Sequence, residues 1–200
     1  MHLSILTSCL ALATGISAQY YNVTSKPFQL ILQSSNRTLN GKGLFACHEG
    51  AGIEGLCVGT SGPSSTSDTY NFNTTYQQQA NQGLPGQTGL VTWLLRGGNF
   101  NVSSSLQLTP SPTSDVAVPL FFPGDQGFSG YGFDKKDKLF VAGYLDNTVS
   151  PPVYKAQAYY RWYACITNAG YTYQTLAWAV GSGKPENPSC EKVDVKRVFI

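Results

Sequence analysis

The sequence predicts an all-β protein built as a single compact domain of about eleven or twelve short strands. Many short segments alternate apolar and polar residues, which is typical of strands with one buried face. The 21 glycines and 11 prolines separate these segments and mark turns between them. Charged residues make up 12% of the chain and aromatic residues another 12%, a balance that excludes a disordered chain and disfavours a helical bundle.

Five strands are expected in the first half of the chain, at residues 28–32, 43–47, 56–58, 70–73 and 90–95. The dipeptide Asn40-Gly41 between the first two is a strong hairpin signal. Residues 48–55 contain the one short helical turn that the pattern allows. Residues 59–68 and 77–87 are polar and contain glycine and proline, which predicts loops.

The second half of the chain adds expected strands at residues 116–122, 131–133, 139–141, 159–165, 172–180 and 193–199. Pro119 cannot donate a backbone hydrogen bond, so its strand is expected at an edge or with a bulge. The charged run at residues 134–138 predicts a turn. A second turn, at residues 168–170, makes the segments on either side of it a long hairpin.

A domain with this many strands can avoid bare sheet edges in two ways. Residues 28–73 hold four strands, the number and length expected for one third of a β-trefoil-like barrel. No later segment, however, repeats this four-strand pattern at a fixed period. A β-sandwich accounts for the same pattern, so both architectures stay open.

Residues 1–18 have the layout of a secretory signal peptide, with an apolar run followed by a small residue, Ala18, at the cleavage point. The run is too short to span a membrane, and no other stretch approaches about 20 apolar residues, so no transmembrane segment is expected. We therefore expect residues 19–200 to form the mature, secreted domain.

Cysteines and sequons agree with a secreted protein. Four cysteines remain after residue 18, and an even number in this setting predicts two disulfides. Pairing of near neighbours closes the shortest loops, which favours Cys47 with Cys57 and Cys165 with Cys190. Glycans lie on the surface, so every sequon is expected at a turn or an exposed strand. The predicted N-glycosylation sites are Asn22, Asn36, Asn73 and Asn101.

Signals for ligands and cofactors are few. His48 is the only histidine after residue 18, and no Cys-X-X-Cys spacing is present, so neither a metal site nor a cofactor is expected. The formal net charge of +2 is too small to indicate a nucleic-acid partner. The pattern does not specify an oligomeric state.

The strongest enzymatic candidate is the acid pair Glu49 and Glu54, which a glycoside hydrolase would use as acid and base. The pair lies in a glycine-rich segment between Cys47 and Cys57, however, where acids commonly bind backbone amides. His48 is the sole candidate general base and neighbours a cysteine. The pattern therefore favours a protein that is not an enzyme, with no catalytic residue assigned.

Aromatic residues near the carboxyl end supply the other candidate site. On a strand, Tyr160 and Trp162 share one face, and Tyr171 and Tyr173 lie across the predicted hairpin. Exposed aromatic rings in a row can stack on sugar rings, so these four residues are candidates for carbohydrate contact. The pattern favours the other interpretation, that one face fills the core and the other makes cross-strand pairs.

Several segments of the mature chain are distinctive, among them LNGKGLFACHEGAGIEGLC, VAVPLFFPG, YYRWYACITN and the ending LAWAVGSGKPENPSCEKVDVKRVF. Through them the chain resembles, from about residue 21 to residue 200, an uncharacterised family of small secreted fungal proteins. The resemblance implies a fungal source, an extracellular or cell-wall location and, since some members are described as allergens, IgE binding. The candidate partners are cell-wall polysaccharide or a host protein or antibody, and the resemblance supplies no catalytic residues.

Overall fold

The computed structural model describes residues 21–60, 69–75 and 83–200, and the regular elements in them are all β-strands. The predicted signal peptide, residues 1–18, falls outside these ranges. Within them no helix is long and apolar enough to cross a membrane. The strands are β1 (Val23–Thr24), β2 (Phe28–Gln33), β3 (Leu44–Gly50), β4 (Ile53–Val58), β5 (Tyr70–Thr74), β6 (Thr88–Arg96), β7 (Asn101–Pro110), β8 (Val116–Pro123), β9 (Tyr131–Phe133), β10 (Leu139–Asp146), β11 (Val153–Tyr159), β12 (Trp162–Asn168), β13 (Thr172–Ala179), β14 (Glu191–Lys192) and β15 (Asp194–Phe199).

Six strands pair one after another to form a ring. β2 pairs with β5, β5 with β6, β6 with β9 and β9 with β10, all antiparallel. On its other side, β2 pairs along its whole length with β15, from Phe28↔Phe199 to Gln33↔Asp194. β10 and β15 meet at one isolated bridge, Lys138↔Lys196, which we call the β10–β15 junction. The sheet therefore curls into a barrel-like shell that is weakly closed at this junction.

Three hairpins extend from the ring: β3–β4, β7–β8 and β12–β13. We call them the hairpin triplet, because each also pairs with the other two. The linking pairs are Glu54↔Phe121, Trp178↔Ala117 and Thr175↔Cys57. A six-stranded ring with such a triplet is the arrangement of a β-trefoil, so the all-β prediction is confirmed and the pairing pattern matches its trefoil-like alternative.

Two disulfides strengthen the hairpin triplet. Cys47 joins Cys57 across the β3–β4 hairpin, and Cys165 of β12 joins Cys190, which directly precedes β14. All four residues are buried. The bonds follow the near-neighbour pairing that the sequence predicts.

Buried side chains from the ring and the triplet form one large core cluster. On β2, Phe28, Leu30 and Leu32 are fully buried while the residues between them are half-buried, as the alternation of a strand requires. Trp162 is also fully buried, and its indole Nε1 donates to the Leu139 carbonyl at 2.8 Å. Burying a large apolar side chain contributes about 1.5–3 kcal/mol, so this cluster is the main source of stability.

The strand count exceeds the prediction because some strands lack apolar alternation. β7 buries Ser104 and Ser105, and β11 is largely exposed, so neither shows the expected pattern. The expected helical turn at residues 48–55 is wrong: these residues form the turn region of the β3–β4 hairpin. Gly50 and Gly52 carry the turn with φ values of 113° and 77°, which favour glycine.

The outer edge of β12 is occupied along much of its length. β14 pairs with it only at Tyr163 and Ala164. Further along, the Ile166 N–H donates to the Ser189 hydroxyl at 2.8 Å, and the Asn187 side-chain amide donates to the Ile166 carbonyl at 2.9 Å. Side chains of a loop thus take positions that a further strand would use.

Candidate functional site

A groove of about 480 Å³ opens beside the β10–β15 junction, and its volume lies in the range of small-ligand sites. The turn between β9 and β10 supplies most of its lining, and β15 supplies Asp194. We call it the Tyr160 groove. Its lining residues are Pro85, Asp134, Lys135, Lys136, Lys138, Tyr160 and Asp194.

Asp134 fixes the geometry of this groove. Its Oδ1 accepts the backbone N–H groups of Lys136 and Lys138 at 2.8 and 2.9 Å, the local arrangement that favours aspartate in turns. Its Oδ2 accepts the Tyr160 hydroxyl at 3.0 Å. Burial, followed by this hydrogen bond and the charge of Asp134, raises the pKa of Tyr160 to about 12. The phenol therefore stays protonated at neutral pH.

An ion pair crosses the groove from the β9–β10 turn to β15. Lys138 Nζ lies 2.6 Å from Asp194 Oδ2, and the two side chains are 31% and 32% exposed. A pair this exposed contributes at most about 1 kcal/mol to stability. Both groups also stay within reach of a ligand.

Lys192, beside this pair, is held by backbone carbonyls. Its Nζ donates to the carbonyls of Tyr160, Trp162 and Val193 at 2.6, 3.1 and 3.2 Å. Burial lowers the pKa of Lys192, while the charge of Asp194 opposes that shift. The amine thereby anchors the chain where Tyr160 connects β11 to β12.

A second depression, of about 390 Å³, meets the Tyr160 groove at Asp194. Hydroxyl and amide side chains dominate its surface, unlike the charged lining of the groove. An extended ligand could run from the Tyr160 ring past Asp194 into this depression. Its lining residues are Gln33, Ser34, Ser35, Asn40, Lys192, Val193 and Asp194.

Arg197 ties β15 to the β9–β10 turn beside the groove. Its guanidinium donates to Asp137 Oδ1 from Nε at 3.1 Å and from Nη2 at 2.7 Å, and its backbone N–H donates to the Asp137 carbonyl at 2.9 Å. The guanidinium carbon lies 4.2 Å from the ring centre of Phe133 and 4.5 Å from that of Phe199. Polar and aromatic side chains therefore close the junction where backbone pairing is sparse.

A family model described as a domain of unknown function, DUF7907, matches residues 25–199. The chain belongs to this family. No curated protein and no solved structure matches the chain. The DUF7907 match includes every described strand except β1, so the ring, the hairpin triplet and the Tyr160 groove all belong to the domain.

The four aromatic residues that are candidates for carbohydrate contact do not share one surface of the DUF7907 domain. Residues 159–165 are not one strand, because β11 ends at Tyr159 and β12 begins at Trp162. Tyr160 lies in the crossing between them and lines the groove. Trp162 is fully buried, which agrees with the interpretation that residues of this run fill the core.

Tyr171 and Tyr173 form a separate surface at the tip of the β12–β13 hairpin. Their ring centres lie 6.2 Å apart, and Tyr171 is 51% exposed. Tyr173 pairs with Thr167, which lies five residues along β12 from Trp162, roughly 17 Å on an extended strand. One short ligand therefore cannot contact this surface and the Tyr160 groove together.

The acid pair Glu49 and Glu54 is buried in the β3–β4 hairpin and does not line the Tyr160 groove. Glu54 Oε1 lies 3.2 Å from His48 Nδ1 within the same hairpin. Glu49 Oε2 instead accepts the backbone N–H of Tyr171 at 2.9 Å, from the turn of another hairpin. The two carboxylates thus point to different partners, an arrangement that favours the structural role over an acid and base pair.

The sequon asparagines differ in accessibility. Asn22 and Asn101 are exposed and Asn36 is half-buried. Asn73 lies on β5 with its Oδ1 buried and its Nδ2 at 3.4 Å from Thr92 Oγ1. The amide nitrogen to which a glycan would attach at Asn73 thus faces β6.

Apart from Tyr160, the six residues that line the groove escape the sequence prediction. Four of them, Asp134, Lys135, Lys136 and Lys138, belong to the charged run at residues 134–138, which is conspicuous in a chain with 12% charged residues and could have drawn attention to the groove. Asp194 carries no such signal, because its partner Lys138 lies 56 residues away along the chain.

Proposed function

We propose that the protein is a secreted extracellular or cell-wall glycoprotein that binds polysaccharide in the Tyr160 groove and catalyses no reaction. The observation that carries the proposal is one open groove that combines an aromatic ring, two carboxylates and three amines and continues into a second depression at Asp194. Ligand sites of this kind combine an apolar surface with a few well-placed polar groups that fix the orientation.

Secretion is supported by three independent features. The amino-terminal segment has the pattern of a signal peptide. Disulfides such as the two found in the hairpin triplet persist mainly in oxidising compartments. The sequon residues Asn22 and Asn101 lie on exposed chain, where glycans can project into solvent.

Binding is favoured over catalysis by the state of the polar groups in the groove. The Tyr160 phenol has a pKa near 12, so it donates a hydrogen bond and does not act as a base at neutral pH. Asp134 and Asp194 are already held by donors from Tyr160, Lys138 and the backbone. Their remaining lone pairs can accept sugar hydroxyls without a rearrangement of the groove.

Depletion from solution by insoluble chitin, β-glucan, mannan and pectin tests the proposal with the full secreted protein. We expect one or more of these polysaccharides to deplete the protein. The variant Tyr160→Ala should bind about tenfold more weakly, since it loses both ring contact and the hydrogen bond to Asp134. Tyr171→Ala, an exposed tyrosine outside the groove, is the matched control and should bind like the wild type.

Thermal unfolding of each variant shows whether the fold is retained, so a loss of binding can be assigned to the groove. No depletion by any polysaccharide would overturn the proposal. Retained binding by Tyr160→Ala together with its loss in Tyr171→Ala would move the site to the hairpin tip.

A further inference from the structure

The positive charge of the chain is concentrated around the Tyr160 groove. Six cationic residues surround the groove and the β10–β15 junction, against four acids, a local surplus equal to the formal net charge of +2 for the whole chain. All other formal charges of the chain therefore cancel. The cations are Lys135, Lys136, Lys138, Lys192, Lys196 and Arg197, and the acids are Asp134, Asp137, Glu191 and Asp194.

Most of these charges are already engaged. Lys138 pairs with Asp194, and Arg197 pairs with Asp137. Asp134 accepts two backbone N–H groups and the Tyr160 hydroxyl. Such donors offset the negative charge of both groove carboxylates, so these acids would repel an anionic ligand less than free carboxylates would.

Two amines of the groove are not held in an ion pair of this kind. Lys135 and Lys136 are exposed, line the Tyr160 groove and make no ion pair with any residue of the described ranges. Both lysines lie in the turn between β9 and β10, and the hydrogen bonds to Asp134 fix the main chain of this turn. Their side chains remain free to move. A groove with fixed walls and two available ammonium groups concentrates anions.

We infer that the Tyr160 groove selects an acidic polysaccharide, whose sugar units carry carboxylates, over a neutral one. The inference rests on the proposed polysaccharide binding and adds the chemical class of the ligand. The apolar face of a sugar ring lies on Tyr160 while the carboxylates of that unit and of its neighbour pair with Lys135 and Lys136. Sugar hydroxyls bind Asp194 and the hydroxyl and amide groups of the second depression.

Polygalacturonate, its carboxyl-reduced neutral form and dextran sulfate are the probes that test this inference by isothermal titration with the full secreted protein. At low salt we expect polygalacturonate to bind about tenfold more tightly than the reduced polymer, the effect of two exposed ion pairs. The difference should shrink when the salt concentration exceeds about 0.1 M, where the screening length falls to about 10 Å.

The double variant Lys135→Gln/Lys136→Gln should bind both polymers with the affinity that the wild type has for the reduced form. The double variant Lys26→Gln/Lys184→Gln removes the same charge from exposed positions outside both depressions and should retain the preference. Glutamine keeps most of the length of lysine, so neither variant is expected to unfold.

Equal affinity for the two polymers, with both lost in Tyr160→Ala, would overturn the charge selection while leaving polysaccharide binding intact. Failure of all three polymers to bind would overturn the charge selection, and it would overturn polysaccharide binding too if chitin, β-glucan and mannan also failed to deplete the protein. Dextran sulfate carries anions on a different backbone. If it bound as tightly as polygalacturonate and without dependence on Tyr160, the charge would act alone and the inferred carboxylate site would be wrong.

Discussion

The hairpin triplet and the β10–β15 junction are held together in different ways. Backbone pairing links every pair of hairpins in the triplet, and two buried disulfides stabilise it, one within the β3–β4 hairpin and one from β12 to Cys190. The junction has one isolated bridge, so side chains such as Arg197 and the Lys138–Asp194 pair do most of the linking. Side-chain links leave polar groups exposed, which is why a groove lined by charged side chains opens at the junction.

Removal of the Cys165–Cys190 disulfide should cause the largest loss of stability. The double variant Cys165→Ala/Cys190→Ala opens a link across 25 residues, and the unfolded chain gains entropy worth about 3 kcal/mol. Urea unfolding followed by fluorescence measures the change. The Cys47–Cys57 pair spans only 10 residues and serves as a comparison that should cost somewhat less. A loss below about 1 kcal/mol would mean that backbone pairing alone sustains the triplet.

Substitution of Arg197 should show how much the junction depends on side chains. Arg197→Ala loses the pair with Asp137 and the contacts with Phe133 and Phe199, and we expect it to lower the free energy of unfolding by about 2 kcal/mol. Arg197→Met keeps an unbranched apolar stem against the rings and should recover part of that loss. Equal midpoints of urea unfolding for Arg197→Ala and the wild type would contradict the role assigned to this residue.

The Lys138–Asp194 pair should matter less for stability than Arg197 does. Both side chains are about one third exposed, so Lys138→Met is expected to cost less than about 1 kcal/mol. The cost should fall further in concentrated salt, and Lys184→Met, at an exposed position away from the junction, is the control. A cost that exceeds that of Arg197→Ala would reverse the order proposed for the junction.

Alkaline pH should weaken the folded state in part through Tyr160 at the junction. The folded-state pKa of Tyr160 is raised to about 12, above its usual value of 10.0, so its contribution is intact below pH 10.0. This contribution to stability is lost as the pH rises from 10.0 toward 12, because the Tyr160 phenol ionises at a lower pH in the unfolded chain than in the folded one. Tyr160→Phe should lessen this loss in urea unfolding at successive pH values. Burial also raises the pKa of Tyr131, so only the difference between the two proteins reports on Tyr160.

The sequence predicts the parts of the fold whose buried faces are apolar, such as β2 and the β12–β13 hairpin. It misses β7 because buried Ser104 and Ser105 break the apolar alternation, and it misses β11 because that strand is largely exposed. The disulfides could be predicted because loop length alone favours near neighbours. Local pattern and loop length, however, cannot show which strands become neighbours around the ring.

The candidate site is predicted only in part, for the same reason. Tyr160 can be noticed in the sequence as an aromatic residue. Its place in the groove depends on the crossing of the chain from β11 to β12, which the alternation of apolar and polar residues does not reveal. Trp162, two residues further on, looks equivalent in the sequence but is buried. The contacts that create the groove join Asp134 to Tyr160 and Lys138 to Asp194, over 26 and 56 residues.

The loop that covers the edge of β12 has a consequence for the behaviour of the protein in solution. A bare strand edge can add a strand from a second molecule and so start aggregation. Ser189 and Asn187 occupy the N–H and the carbonyl of Ile166, while the side chain of Ile166 remains 48% exposed. The edge of β12 at Ile166 is thereby closed to a second molecule by hydroxyl and amide side chains, while β14 pairs with the same edge at Tyr163 and Ala164. In a chain with 12% charged residues, hydroxyl and amide groups thus help to prevent a second molecule from adding a strand at this edge.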